Sequence, residues 1–175
     1  ANLGYNKEEI AEQVKLPDTL GLEFFNRDYY GTLNTNTRAV YVKYLGFFDG
    51  NPATLQPLPH VKAARHYVEY MGGVDAIVTK AEKDFEKGRY RWVAEVLNHA
   101  VMDDPEHIKA RALLADTLEQ LGYQAESGPS RNFYLCGALE LREGLPDGSM
   151  YSANPNMLSA IPLKNMFQIL GVRLN

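Results

Sequence analysis

Gly88-Arg89-Tyr90-Arg91-Trp92-Val93-Ala94-Glu95-Val96-Leu97-Asn98-His99-Ala100-Val101-Met102-Asp103-Asp104-Pro105 is the stretch on which the fold turns. Trp92, Val93, Val96, Leu97 and Ala100 recur at the 3.6-residue period and make one apolar stripe over residues 91–102. Gly88-Arg89-Tyr90 reads as a tight link before it. Asp104 followed by Pro105 reads as an N-cap with proline at the first helical position. Ala110, Leu113, Leu114, Leu118 and Leu121 carry the same period over residues 105–121, and Gly122 reads as the stop.

A longer period lies under this pattern. Gly88 and Gly122 are 34 residues apart; Tyr90, Ala100 and Pro105 follow the first glycine by 2, 12 and 17 residues, and Ala110 and Ala115 follow the proline by 5 and 10. That is the spacing of a tetratricopeptide unit, in which small residues let two antiparallel helices approach and Tyr90 fills the gap by the turn. The second copy decays. Ser127 takes the small apolar position, and Tyr134 and Leu139 stand where alanine and proline would recur. With about one and a half repeats legible, the hairpin must bury its face against something else.

Helical spacing continues on both sides. Asn6 to Glu9 has the form of a capping box opening a short helix with Ile10 and Val14 on its apolar face, ended by Leu16-Pro17. Residues 24–33 read as an irregular loop. Val40, Tyr41, Tyr44, Leu45 and Phe48 give a helix over 36–48, stopped by Asp49-Gly50-Asn51-Pro52. Val61, Ala64, Val68 and Met71 mark a helix over 60–71, broken by Gly72-Gly73. Val74, Ile77, Val78, Ala81 and Phe85 mark 74–87, and Phe133, Leu135, Ala138 and Leu141 mark 131–143. The Gly, Pro, Ser and Asn of residues 143–156 read as a linker, after which Ser159 to Leu170 starts a last helix. No long strand is predicted before residue 172. The expected class is all-α, an antiparallel helical bundle with a tetratricopeptide-like hairpin.

Composition narrows the function. Of 175 residues, 45% are hydrophobic and 23% charged, so a packed core is within reach. Acidic residues outnumber basic ones 22 to 18, which argues against a general nucleic-acid binder. A single cysteine, Cys136, excludes an internal disulfide and reads as a buried inert thiol. No apolar run reaches the roughly 20 residues of a membrane span. His60, His66, His99 and His107 form no metal-ligand spacing, and the last two read as surface or cap residues. Both ends of the chain read as cuts inside a longer protein.

One segment concentrates anion-binding chemistry. Tyr29-Tyr30-Gly31-Thr32-Leu33-Asn34-Thr35-Asn36-Thr37-Arg38 sets phenols, carboxamides, hydroxyls and one guanidinium before a helix start. Helix N-termini favour anions, and an arginine can add a bidentate fork for sulfate or phosphate. The plainer reading is a helix capped by Asn34 or Asn36.

These residues also carry a resemblance. Tyr29 to Asn36, Arg38 to Tyr41 and Tyr44-Leu45-Gly46-Phe47-Phe48-Asp49-Gly50-Asn51-Pro52 resemble the linear alkylsulfatases of the metallo-β-lactamase superfamily, the sodium dodecyl sulfate hydrolases. Gly88 to Asn98, Leu113 to Ser127 and Arg131 to Leu135 are similar to the same region, so the resemblance covers roughly residues 4–145. It implies a helical dimerisation domain over 1–145, a linker over 146–157 and, at 158–175, the opening of a domain like sterol carrier protein 2. It further implies a homodimer, an alkyl sulfate substrate, and zinc held by a catalytic domain outside this chain, with no metal ligand within it. This segment would be inactive alone and would supply part of a sulfate pocket from Tyr29, Asn34, Asn36 and Arg38. Some relatives have an arginine where Asn34 stands, and the family's His-Asn pair is Thr35-Asn36; Arg38 is read as compensating. The alternative is a tetratricopeptide-like protein-interaction module without a catalytic role.

Overall fold

A computed structural model describes residues 3–145 and 161–173. It divides into a unit ending at Arg142 and one beginning at Glu143. The first unit holds α1 (Lys7–Gln13), α2 (Asp18–Gly21), α3 (Leu33–Leu45), α4 (His60–Met71), α5 (Val74–Glu86), α6 (Tyr90–Asp103), α7 (Ile108–Gln124) and α8 (Gly128–Glu143). Short 3-10 turns lie at Phe24–Asn26 and Pro52–Thr54. The second unit contains α9 (Leu163–Arg173); the predicted linker 146–157 lies outside the described residues. No strand occurs among the described residues, and the all-α class holds.

The core sits where the decisive stretch places it. α6 packs against α4, α5 and α7. Val68, Ile77, Val78, Ala81, Val93, Val96, Leu97, Ala100, Ala110 and Leu114 form one buried cluster, with Phe85 against its edge. The Phe85 and Tyr90 rings meet edge to face at 5.0 Å, closing the α5–α6 turn. The Gly72-Gly73 break is real: Gly72 caps α4 at φ +95°, a left-handed conformation that favours glycine.

Several boundaries differ from the sequence reading. α7 begins at Ile108, three residues after Pro105. The Asp104 carboxylate accepts instead from the Glu106 N–H (3.2 Å) and spends itself on a turn. The cap is His107, whose Nδ1 accepts from the Ala110 N–H at 3.1 Å. With Nδ1 an acceptor, the ring proton sits on Nε2 and faces Asp75 Oδ1 at 3.2 Å, tying α7 to the first turn of α5. Replacing His107 with alanine is expected to lower stability by about 1 kcal/mol, the usual cost of a lost N-cap. A shift of the urea midpoint at constant m-value reads it; an unshifted midpoint would deny the cap any weight.

Gly122 is no stop. α7 runs through it to Gln124, and a Cβ there would stand 2.8 Å from Leu135 Cδ2. Its role is close approach: α7 and α8 meet where a side chain at 122 would force Leu135 of α8 to shift. Further along, Arg142 reaches back from α8 to Asp116 (2.7 Å) and Glu119 (2.8 Å) on α7. The Arg142 guanidinium, with the Tyr123 hydroxyl, holds the Glu119 carboxyl below its ordinary range. Cys136 is exposed, not buried. Ala138 faces inward at 2% exposure, and two residues along a helix is roughly 200° around it, so Cys136 faces out.

α3 is a long helix that buries none of its residues. It spans Leu33–Leu45, three residues ahead of the expected 36–48 at both ends. Thr32 is the N-cap, displacing Asn34 and Asn36 from that reading. The Thr35 N–H donates to Thr32 Oγ1 (3.0 Å) while the Thr32 N–H donates to Thr35 Oγ1 (3.1 Å), a reciprocal capping box. Gly46 ends the helix at φ +82°, so Phe47 and Phe48 lie beyond it. α1 packs on α3, yet no residue of α3 is buried.

Candidate functional site

The predicted site residues begin on a strap before α3. Tyr29 packs on Phe24 with ring centroids 5.2 Å apart, and the Arg27 guanidinium lies 6.0 Å above the Tyr29 ring. The strap is tied to the start of α8. The Gly128 N–H donates to the Tyr29 carbonyl (2.9 Å), and the Ser127 hydroxyl donates to the Tyr30 carbonyl (2.5 Å). Arg27 pairs with Glu126. This order comes from within the chain.

Two of the free N–H groups at the start of α3 are already engaged. The Leu33 N–H donates to Asp28 Oδ1 (3.0 Å) and the Thr35 N–H to Thr32. Asp28 occupies the position an external anion would take at the helix end. These two N–H groups are therefore not available to an external anion.

Helix geometry sorts the predicted side chains of α3 into two groups. Asn34 and Arg38, four residues apart, share a face, while Asn36 is turned roughly 200° from each. Asn34 and Arg38 line a cavity of about 460 Å³ together with Arg91 of α6 and Ser130 and Tyr134 of α8. Asn36 lines a second cavity of about 300 Å³ with Arg27, Asp28 and Gly31. Tyr29 lines neither and stays on the strap between them. Arg38 also borders a cationic groove with Lys7 and Lys43.

Arg91, Ser130 and Tyr134 escaped the sequence reading because they come from helices remote in sequence and carry no local motif. Arg91 pairs with Glu12 of α1 at 2.9 Å, both side chains being exposed. The cavity thus gathers two guanidiniums, hydroxyls, a carboxamide and a phenol. That set can grip an oxyanion through charge-assisted hydrogen bonds. It offers neither a nucleophile beside a base nor a paired acid and base.

Three of the four histidines have contacts within the helices. His107 is a cap, the His99 ring stacks on Tyr67 at 4.5 Å between centroids, and His66 stands 3.9 Å from Glu69. Among the described residues, no group of three His, Cys, Asp or Glu side chains could hold a metal. No described helix is long and apolar enough to cross a membrane.

Residues 6–144 match the family model described as alkyl sulfatase dimerisation. The chain is 54% identical to a linear primary-alkylsulfatase of Pseudomonas sp., over 99% of this chain and 26% of that protein. It is 51% identical to an alkyl/aryl-sulfatase of Saccharomyces cerevisiae, over 99% of this chain and 27% of that protein. Among solved structures it is similar to the stereoselective inverting sec-alkylsulfatase Pisa1 from Pseudomonas sp. The TM-score is 0.82 at 52% identity, over 83% of this chain and 23% of that one. The chain spans about a quarter of the length of the curated relatives it matches.

Proposed function

The chain belongs to the alkyl sulfatase dimerisation family, and from that premise we propose that it is the self-association segment of a longer enzyme that hydrolyses alkyl sulfate esters to alcohol and sulfate. The observation that carries the reading is the family match over residues 6–144, with more than half the residues identical to an alkylsulfatase. In this reading, residues 158–175 open a domain like sterol carrier protein 2. Its support is the division of the chain at Glu143 and the helix that begins at Leu163.

The chemistry divides between this chain and the rest of the enzyme. In this reading the zinc belongs to a catalytic domain outside the chain, and no step through it is assigned here. Bound there, zinc supplies hydroxide by lowering the pKa of water to near 7. This chain contributes grip. Arg38 and Asn34 from one face of α3 hold sulfate oxygens with Arg91, Ser130 and Tyr134, and Tyr29 and Asn36, which line no part of that cavity, stand outside it. In the full-length enzyme, Arg38→Ala is expected to raise KM for an alkyl sulfate about tenfold to a hundredfold, the range for a lost charged hydrogen bond. Initial-rate kinetics check it, and an unchanged KM would remove Arg38 from the pocket.

Self-association has a surface to use. Val40 and Tyr44, one helical turn apart on α3, are 55% and 75% exposed, and Phe47, just beyond the end of the helix, is 77% exposed. Large apolar side chains left in water close together are characteristic of an interface. We assign it to a second copy of the chain. Light scattering across a dilution series is expected to give a mass near twice 19.7 kDa. A monomer at every concentration would overturn the dimer.

A further inference from the structure

The tetratricopeptide spacing fails at Ser127, and the structure gives that residue another occupation. Ser127 is 1% exposed, and its hydroxyl works in both directions. It donates to the Tyr30 carbonyl at 2.5 Å and accepts from the Ser130 N–H at 3.3 Å. One end of this relay is the strap that carries Tyr29 and leads into α3. The other is Ser130, which lines the same cavity as Asn34, Arg38, Arg91 and Tyr134.

That cavity has two walls from distant parts of the chain: α3 on one side, α6 and α8 on the other. Few ties cross between them. Arg27–Glu126 and Arg91–Glu12 are exposed ion pairs, which hold geometry weakly. Among the described residues, the Gly128 N–H to Tyr29 carbonyl bond and the Ser127 hydroxyl are the remaining hydrogen-bonded ties, and of these only Ser127 is a side chain buried at the junction. A buried hydrogen bond withdrawn from one partner leaves a carbonyl to seek water, and the local geometry loosens.

We propose that Ser127 is a positioning residue of the anion site: its buried hydroxyl sets the Tyr29–Tyr30 strap, and through it Asn34 and Arg38, against Arg91 and Tyr134. The proposal rests on the sulfate-pocket reading above and adds a residue that does not itself touch the anion.

The test uses the full-length enzyme, with octyl sulfate as substrate and hydrogen exchange over residues 27–33 as a second readout. Ser127→Ala is expected to speed exchange in that segment at least tenfold and to raise KM about fivefold to tenfold, with kcat changed less than twofold. Thr117→Val is the control: it removes another buried hydroxyl, one that bonds only to Leu113 of its own helix. It is expected to leave both readouts unchanged. Unchanged strap exchange in Ser127→Ala overturns the proposal, and so does an equal response from Thr117→Val. Faster exchange with unchanged KM, in an enzyme where Arg38→Ala does raise KM, also overturns it while leaving the sulfate-pocket reading standing. If Arg38→Ala leaves KM unchanged, the pocket reading itself falls, and the positioning role falls with it.

Discussion

Leu97→Ala is expected to lower the stability of the chain by about 3–5 kcal/mol, the upper part of the range for truncating a buried leucine. The size follows from where Leu97 sits. It is 0% exposed in the middle of α6, the helix that packs on α4, α5 and α7 together. Several of its neighbours in the cluster, Ala81, Ala100 and Ala110, have no further atoms with which to fill the space. The gap would persist, and both the transfer and the cavity contributions would be lost. Against a typical total of about 5–15 kcal/mol, that is roughly a fifth or more of the domain's stability. Urea unfolding reads it as a fall in midpoint. Leu97→Met, which conserves volume, should cost below about 1.5 kcal/mol. A loss under about 1 kcal/mol for Leu97→Ala would place the centre of the core elsewhere.

The paired substitution Val40→Asp and Tyr44→Asp is expected to weaken self-association at least a hundredfold. Each aspartate would bring a charge into a surface that the proposed contact desolvates. Two such changes convert a persistent dimer to a monomer at micromolar concentration. Because both side chains are exposed in the single chain, the monomer's own unfolding should move by no more than about 0.5 kcal/mol. The experiment therefore separates assembly from folding. Sedimentation or light scattering gives the mass, and thermal unfolding of the diluted protein gives the fold. An unaltered dimer would assign the interface to another face, and unfolding would mean that α3 carries structure its exposure does not suggest.

The sequence was most legible where local rules act alone. Val93, Val96, Leu97 and Ala100 recur at helical spacing, and they are the buried face of α6. α4 runs over His60–Met71, the predicted span, because Pro59 and Gly72 punctuate it. Reading failed where two local options competed. Asp104 and His107 could each cap α7, and the carboxylate went to a turn. Thr32 took the cap of α3 from Asn34 and Asn36 because Thr35 could reciprocate. Gly122 signals a stop in one dimension, whereas its meaning is set by Leu135, which only the folded chain brings near. The same limit governed the site. Asn34 and Arg38 were visible as a pattern on one segment. Arg91, Ser130 and Tyr134 reach the cavity from helices far along the chain, and no spacing rule points to them.

The tie between Ser127 and Tyr30 spans 97 residues of sequence, whereas α4 to α7 pack as a run of consecutive helices. Closing so long a loop costs on the order of 4 kcal/mol of chain entropy by the logarithmic rule, before any constant is added. Such contacts form late. The hairpins around α6 should assemble on the fast timescale of local helical packing. The segment carrying α1, the strap and α3 should then dock onto a folded platform and, in reverse, be the first part to detach. The proposed anion-binding residues Asn34 and Arg38 thus ride on the last piece to fold. A nascent or partly unfolded chain would present a finished helical platform while still having no pocket.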